Sequence, residues 1–479
     1  MALPTAHAQT GLGASGESLL SRYADVLLLR DYNTRVVVTG VSLLGAACGV
    51  VGTFTLLRKR ALLADALSHA MLPGIGIAFL VMAGMGGSGK WLPGLLAGAA
   101  SSGVVSVLVI LGIVRSTRIR EDAALGIVLS VFFGFGAAVL GVVQRSGSGS
   151  AAGLNAFIYG KTAAMLWSDA VLIGVTAVLV TAVCVAMFRD FQMLCFDSGY
   201  ARTLGRPTAL LDVLLMGLVV TVTVVGLQAV GLILVIALLV IPAAAARFWS
   251  ERLPVIVTAA AAIGATSGFI GAAVSAVHPR LPAGALIVLV GGAMFGISML
   301  LGPARGVLRA AVRHWGLARR VARQHLLRAV HELHEQGSAV PSTPRSAGGS
   351  GGAPLAALRR LRSWGAGQPG RALHAAQREG LLELQREPRG VLVRLTPAGR
   401  AAAERIVRNH RLWELYLISH ADIAPSHVDR DADMVEHVLD PGMIAELEAR
   451  LTAEGAAPPA ESGALPPSPH PLPATGGPR

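Results

Sequence analysis

Val36 to Leu57 reads VVVTGVSLLGAACGVVGTFTLL, 22 residues with no charged side chain. An α-helix needs about 20 predominantly apolar residues to cross a bilayer core, so this stretch is long enough to span a membrane. Further apolar runs lie near 69–86, 91–114, 123–143, 168–188, 208–226, 229–246, 254–276 and 283–302. They predict nine spans, or eight if the two runs that meet near Gly226 make one crossing. The spans are rich in Gly, Ala, Val and Leu. Small residues let helices approach closely in lipid, where apolar surface alone gives no drive to associate.

The composition agrees. The chain of 479 residues is 53% hydrophobic and 14% charged, far below the charged share of a soluble globular domain. That excludes an ordinary soluble enzyme and a disordered chain. Cys48, Cys184 and Cys195 all lie in or beside apolar runs and have no metal-knuckle spacing, so they read as inert buried thiols. Residues 1–18 lack an apolar core, which argues against a cleavable signal peptide.

Loop charge predicts the orientation. One alternate set of loops carries Arg58, Lys59, Arg60, Arg115, Arg118, Arg120, Arg189, Arg202, Arg206, Arg247, Arg252, Arg305 and Arg309. The other carries only Lys90, Arg145, Lys161 and Arg280. The first set is therefore expected to be cytoplasmic, with the N-terminus outside and the C-terminus inside a bacterial plasma membrane.

Beyond about residue 303 the composition changes. Residues 304–409 hold 19 Arg against 6 acidic residues, whereas 410–479 hold 4 Arg against 11. The expected organisation is an N-terminal segment 1–33, a membrane domain 34–303, a basic region 304–409, an acidic region 410–455 and a Pro-rich disordered tail 456–479. Pro341 to Pro354 (PSTPRSAGGSGGAP) reads as a flexible insertion inside the basic region.

Two constellations carry chemistry. In Arg58 to Gly74, RKRALLADALSHAMLPG, Asp65 and His69 are four residues apart and share one helix face. Ionisable groups in a span usually face the bundle interior, and carboxylate with imidazole suits Mn, Fe or Zn. A mutual hydrogen bond at a helix start is the alternative reading. Pro73-Gly74 predicts a break in the helix, as at many transport sites. Glu121 and Asp122 open a later span and read as helix-dipole partners. In the acidic region, His410 and Glu414 are four apart, and Asp433, Glu436 and His437 form an i, i+3, i+4 set. They fit either a divalent-metal site between two helices or the charged face of an amphipathic helix.

RALLADALSHAMLPGIGIAFL (60–80) resembles the signature of the permease subunit of metal-type ABC importers for zinc, manganese and iron. RIREDAALGIVLSVFFGFG (118–136), FQMLCFDSGYARTLG (191–205), VVGLQAVGLILVIALLVIPAAAA (224–246) and LPAGALIVLVGGAMF (281–295) resemble further blocks of that family in the right order. The likeness covers about residues 30–303. It implies that Asp65 and His69 line the ion pathway and that the segment holding Phe196, Asp197 and Gly205 docks on an ATPase. It also implies an extracytoplasmic metal-binding protein and a second copy of the permease as partners. No GxxxxGK[ST] phosphate loop occurs in the sequence, so ATP is expected to be used by a separate subunit and the chain is not expected to be an enzyme.

NHRLWELYL (409–417) and EHVLDPGMIAELE (436–448) resemble the metal-binding and dimerisation domain of DtxR/MntR-type metal-dependent repressors. RQHLLRAVHELHEQG (323–337) resembles the first helix of that family's winged helix. Residues 367–407 resemble its recognition helix, wing and linking helix, and the likeness covers about 320–452. It implies a primary metal site of His325, Asp433, Glu436 and His437 and an ancillary site of His410, Glu414 and Asp429. His325 and Asp429 depart from the usual ligands at their positions. The recognition-helix stretch offers Arg371, Gln377 and Arg378 for DNA contact. The expected fold is thus an all-α polytopic membrane protein of eight or nine transmembrane helices, followed by a winged-helix and helical metal-binding region. The expected function is divalent-metal import with a cytoplasmic metal-sensing region. The alternative is a membrane-tethered, metal-dependent transcription regulator. Basic residues just after the last span also point to anionic membrane lipid.

Overall fold

The computed structural model describes residues 25–26, 28–87, 89, 91–145, 160, 162–278, 280–339, 352–355, 358, 368–387, 390–420, 441–455, 457–458 and 465–466. It divides into two units, residues 1–310 and 311–479.

In the first unit the chain forms α1 (Tyr32–Leu57), α2 (Leu63–Ala70), α3 (Leu72–Gly84), α4 (Leu92–Ser116), α5 (Glu121–Arg145), α6 (Trp167–Ala186), the short α7 (Phe188–Phe196) and α8 (Ser198–Thr203), α9 (Thr208–Val230), α10 (Leu232–Ala246), α11 (Leu253–Val277) and α12 (Ala283–Leu301). Asp31 starts α1 by accepting hydrogen bonds from the Thr34 amide and hydroxyl at 2.9 and 2.8 Å. Those donors hold its carboxyl below the usual carboxylate range. Eight helical spans among the described residues are long and apolar enough to cross a membrane, with α2 and α3 together counting as one. The α10 segment is 15 residues, about 22 Å at 1.5 Å per residue, short of the roughly 30 Å hydrocarbon core. It is separated from α9 by Gly231, whose φ of +86° ends one helix and lets the next begin.

The core is built around α1, which is 78% buried over its most apolar window and packs most extensively on α11. Two GxxxG pairs make this possible, Gly45/Gly49 on α1 and Gly264/Gly268 on α11. A Cβ at Gly45 would lie 2.2 Å from the Gly264 carbonyl oxygen, and one at Gly264 would lie 2.1 Å from that of Gly45. The backbones therefore touch where any larger residue would force them apart. Cys48 and Cys184 are buried and free, and Cys195 is partly buried, its thiol pushed up to about 12 by burial. The Cys195 thiol therefore stays protonated at neutral pH.

In the second unit α13 (Val307–Ala339, which begins just inside the first unit) leads to β1 (Ala353–Pro354), α14 (Gln368–Arg378), β2 (Leu382–Glu387), β3 (Gly390–Leu395), α15 (Pro397–His420) and α16 (Pro441–Ala453). The sheet order is β1-β3-β2, all antiparallel, with Glu387 paired to Gly390. Leu326, Leu327, Val330, Leu373, Ala376, Leu382, Val393 and Ala403 form its core. This is the winged-helix arrangement of helices and wing that residues 320–407 led us to expect. The end of the expected flexible insertion, Ala353–Pro354, is β1, and residues 341–351 lie outside the described residues. Helix α15 runs unbroken through the boundary expected at 409/410. The Pro-rich tail lies almost wholly outside the described residues.

Candidate functional site

The helix carrying Asp65 and His69 is broken at Met71, between α2 and α3. The cause is Pro73. In a continuous helix the His69 carbonyl would accept the amide of residue 73, and proline has none. His69 therefore sits in the last turn of a short helix. Its Nε2 lies 3.4 Å from Asp65 Oδ1, with the side chains 24% and 36% exposed. That separation is too long for a strong hydrogen bond. A divalent ion bound about 2.1 Å from each atom would subtend about 108°, close to tetrahedral. His69 Nδ1 is buried without a hydrogen-bond partner, and the ring meets the Phe133 ring edge-on at 4.9 Å. No group of three or more metal-ligating side chains occurs among the described residues. The pair thus holds two ligand-type atoms close enough to share one ion.

Next to this helix stands a charge cluster that sequence reasoning missed. Arg58 binds Asp212 on α9 through both Nε (3.2 Å) and Nη2 (3.1 Å) and donates from Nη1 to the Leu194 carbonyl on α7. Arg60, only 5% exposed, binds Asp212 Oδ1 at 3.1 Å and also pairs with Glu121 at the start of α5. Lys59 between them adopts φ +62°, an unusual conformation for a side-chain-bearing residue. It turns the chain so that both arginines reach Asp212. Glu121 does open α5 as expected, and it is also an ion-pair partner. Asp212 had no neighbouring sequence signal, because its partners lie more than 150 positions away.

The expected docking segment is α7–α8. Phe196 closes α7 and Asp197 caps α8 by accepting from the Tyr200 amide at 2.9 Å. Gly205 ends the segment at φ +74°, and Arg206 ties back to Asp190 at 3.1 Å. Phe196, Tyr200 and Leu204 are 64, 57 and 50% exposed. Two braced short helices thus present an apolar patch.

In the second unit His410 and Glu414 come together on α15, with His410 Nε2 2.8 Å from Glu414 Oε1. His325 is half-buried on α13. Asp429, Asp433, Glu436 and His437 lie outside the described residues. Arg371, Gln377 and Arg378 are all exposed on α14. Arg378 also lines a cleft with Arg319, Arg320, Arg323 and Glu379.

Comparison with known proteins agrees with this geometry. Residues 30–302 match the ABC 3 transport family, and residues 396–454 match the iron dependent repressor, metal binding and dimerisation domain. The manganese transport system membrane protein MntC of Bacillus subtilis is 35% identical over 406 residues, 85% of this chain and 88% of that protein. The zinc transport system membrane protein TroC of Treponema pallidum is 43% identical over 286 residues, 60% of this chain and 94% of that protein. Among solved structures, PsaBC from Streptococcus pneumoniae in complex with Fab is similar with a TM-score of 0.52 and 27% identity, covering 61% of this chain and 99% of that one. Eight apolar spans and a match over more than half its length place the chain in the ABC 3 transport family as a multi-pass membrane permease, joined to an iron-dependent-repressor-type metal-binding domain.

Proposed function

We propose that the chain is the permease subunit of an ATP-driven importer of divalent metal ions, manganese, zinc or iron, and that its C-terminal region is a cytoplasmic metal sensor. The observation that carries the transport reading is the Asp65–His69 pair on the broken helix, with a buried imidazole nitrogen that has no partner. The ion is the cargo and passes between these two ligands. Phe196, Tyr200 and Leu204 on α7–α8 offer the surface for a separate ATPase, and Arg58 and Arg60 link that segment to α1, α5 and α9. ATP binding and hydrolysis in the partner would favour one of two helix arrangements over the other. Two permease copies would complete the pathway, and an extracytoplasmic binding protein would deliver the ion. A cytoplasmic C-terminus in a bacterial plasma membrane requires the short α10 to act as a ninth crossing, and the arginines that follow the last span, Arg305 and Arg309, support it.

The sensing site would use His325 with Asp433, Glu436 and His437. We expect cells expressing the chain with its ATPase to accumulate radioactive manganese or zinc and to slow as internal metal rises. Ending the chain at residue 303 should keep uptake and remove the slowing. Unchanged feedback after truncation would defeat the sensor, and no uptake by the full chain would defeat the transport reading. A membrane-tethered regulator is the second reading, favoured by exposed Arg371, Gln377 and Arg378 beside the arginine-lined cleft. It predicts metal-dependent DNA retention by the chain with no uptake.

The first half of α13 also has the character of a helix lying on anionic lipid. Val307, Leu308, Val312 and Trp315 are 52–65% exposed and, with Ala311, share one face. Arg309 and Arg313 occupy the opposite face, in the first turns of the helix that follows the last span. An apolar face with arginines opposite is the pattern of an interfacial helix. In lipid nanodiscs of the full chain, a spin label at Val312→Cys should meet dissolved oxygen but not a water-soluble nickel chelate, and one at Arg313→Cys the reverse. Equal exposure of both labels to the chelate would exclude the lipid contact.

A further inference from the structure

Arg328 is a buried cation that neither transport nor sensing accounts for. It lies on α13 at 5% exposure, three residues after His325. Its Nε donates to Glu332 Oε1 at 2.6 Å, and its Nη1 lies 2.9 Å from His410 Nδ1. His410 and Glu414 are 2% and 1% exposed, with Nε2 and Oε1 2.8 Å apart.

These contacts fix the imidazole's protons. A guanidinium is only a donor, so Nδ1 must supply the acceptor lone pair. The ring proton is then on Nε2, directed at the Glu414 carboxylate. A neutral imidazole has one lone pair, and Arg328 uses it. A metal ion on Nδ1 would have to displace the guanidinium. A metal ion on Nε2 would move the ring proton to Nδ1 and set N–H against N–H at 2.9 Å. Either arrangement would also put a divalent charge beside a buried guanidinium with little water to screen it. The residues His410 and Glu414 therefore do not fit a metal ion while Arg328 stands where it does.

We propose that the Arg328 guanidinium is a built-in cation in the place of a metal ion, so that Glu332, Arg328, His410 and Glu414 form a metal-independent clamp between α13 and α15. The cationic charge that would draw α15 toward α13 is supplied by the chain itself and is always present. The ancillary position is then a fixed structural joint, and any response to metal in this domain belongs to the other ligand set. This holds whether or not the domain regulates transport.

Metal stoichiometry of the full chain tests it. The purified protein is dialysed against Mn(II), and separately against Zn(II), and bound metal per chain is counted. His410→Gln preserves both hydrogen bonds, because the amide oxygen accepts from Arg328 and the amide nitrogen donates to Glu414. It should bind as many ions as the wild type. Arg328→Met, which keeps the side-chain length and removes the donors, should bind one ion more, and adding His410→Gln should abolish the gain. One ion fewer in His410→Gln, or no gain in Arg328→Met, would overturn the proposal. If Arg328→Met does not elute from a sizing column like the wild type, the His410→Gln comparison alone decides.

Discussion

Asp65→Asn and His69→Gln should each lower ATP-driven metal uptake to about a tenth of wild type or less, a loss of at least about 1.4 kcal/mol of ion binding or barrier lowering. Asparagine keeps an oxygen in place but loses the charge that makes a carboxylate a ligand for a divalent ion. Glutamine at 69 replaces the imidazole by an amide, a poorer ligand for these metals. Both side chains are only partly buried and their mutual contact is long, so folding stability should change little. Uptake of manganese and zinc tracers, normalised to the amount of permease in the membrane, measures the effect. Because the described site has two ligands, no third side chain is at hand to compensate. Wild-type uptake in both variants would remove Asp65 and His69 from the pathway.

Arg60→Ala should have the largest effect on the fold of the membrane unit. Removing one partner of a buried ion pair leaves a charge without compensation and costs about 3–5 kcal/mol. The lower end is expected here, about 3 kcal/mol, because Arg58 still pairs with Asp212. The measurement is thermal unfolding in detergent, followed by the loss of monodisperse protein. The double variant Arg60→Met/Asp212→Asn should recover part of the loss, since the buried carboxylate goes with its partner. A loss no larger than that of an exposed pair, below about 1 kcal/mol, would show that Arg60 does not hold α5 and α9 to the turn after α1. Arg58 also ties α7 to this cluster, since it donates to the Leu194 carbonyl. If α7–α8 receives a separate ATPase as proposed, variants that fold should couple that subunit's ATP hydrolysis to uptake more weakly.

Much of this protein is legible in its sequence because its determinants are local. An uncharged run of 22 residues requires a helix in lipid, since no other backbone form satisfies its own polar groups there. Pro73 breaks the helix after His69 because it removes one hydrogen bond four residues downstream of that carbonyl. The i, i+4 spacing of Asp65 with His69 and of His410 with Glu414 places each pair on one face, and both pairs do meet. Asp197 and Gly205 bound the docking segment by capping and a positive φ, again local effects.

The apolar runs favoured nine spans with eight possible, and eight are long enough because Gly231 separates α9 from an α10 of only 15 residues. Asp212 showed no signal beside it in the chain, and only the bundle brings it to Arg58 and Arg60. Arg328 looked like one arginine among the 19 of the basic region. Residue order alone determined that the chain spans a membrane, where the helix after His69 breaks and which residues are candidate ligands, because each follows from hydrogen bonds and periodicity within a few residues. Tertiary structure alone decided which charges are neutralised, and by what. Coulomb energy depends on distance and burial in space, and the 82 positions between Arg328 and His410 carry no information about either.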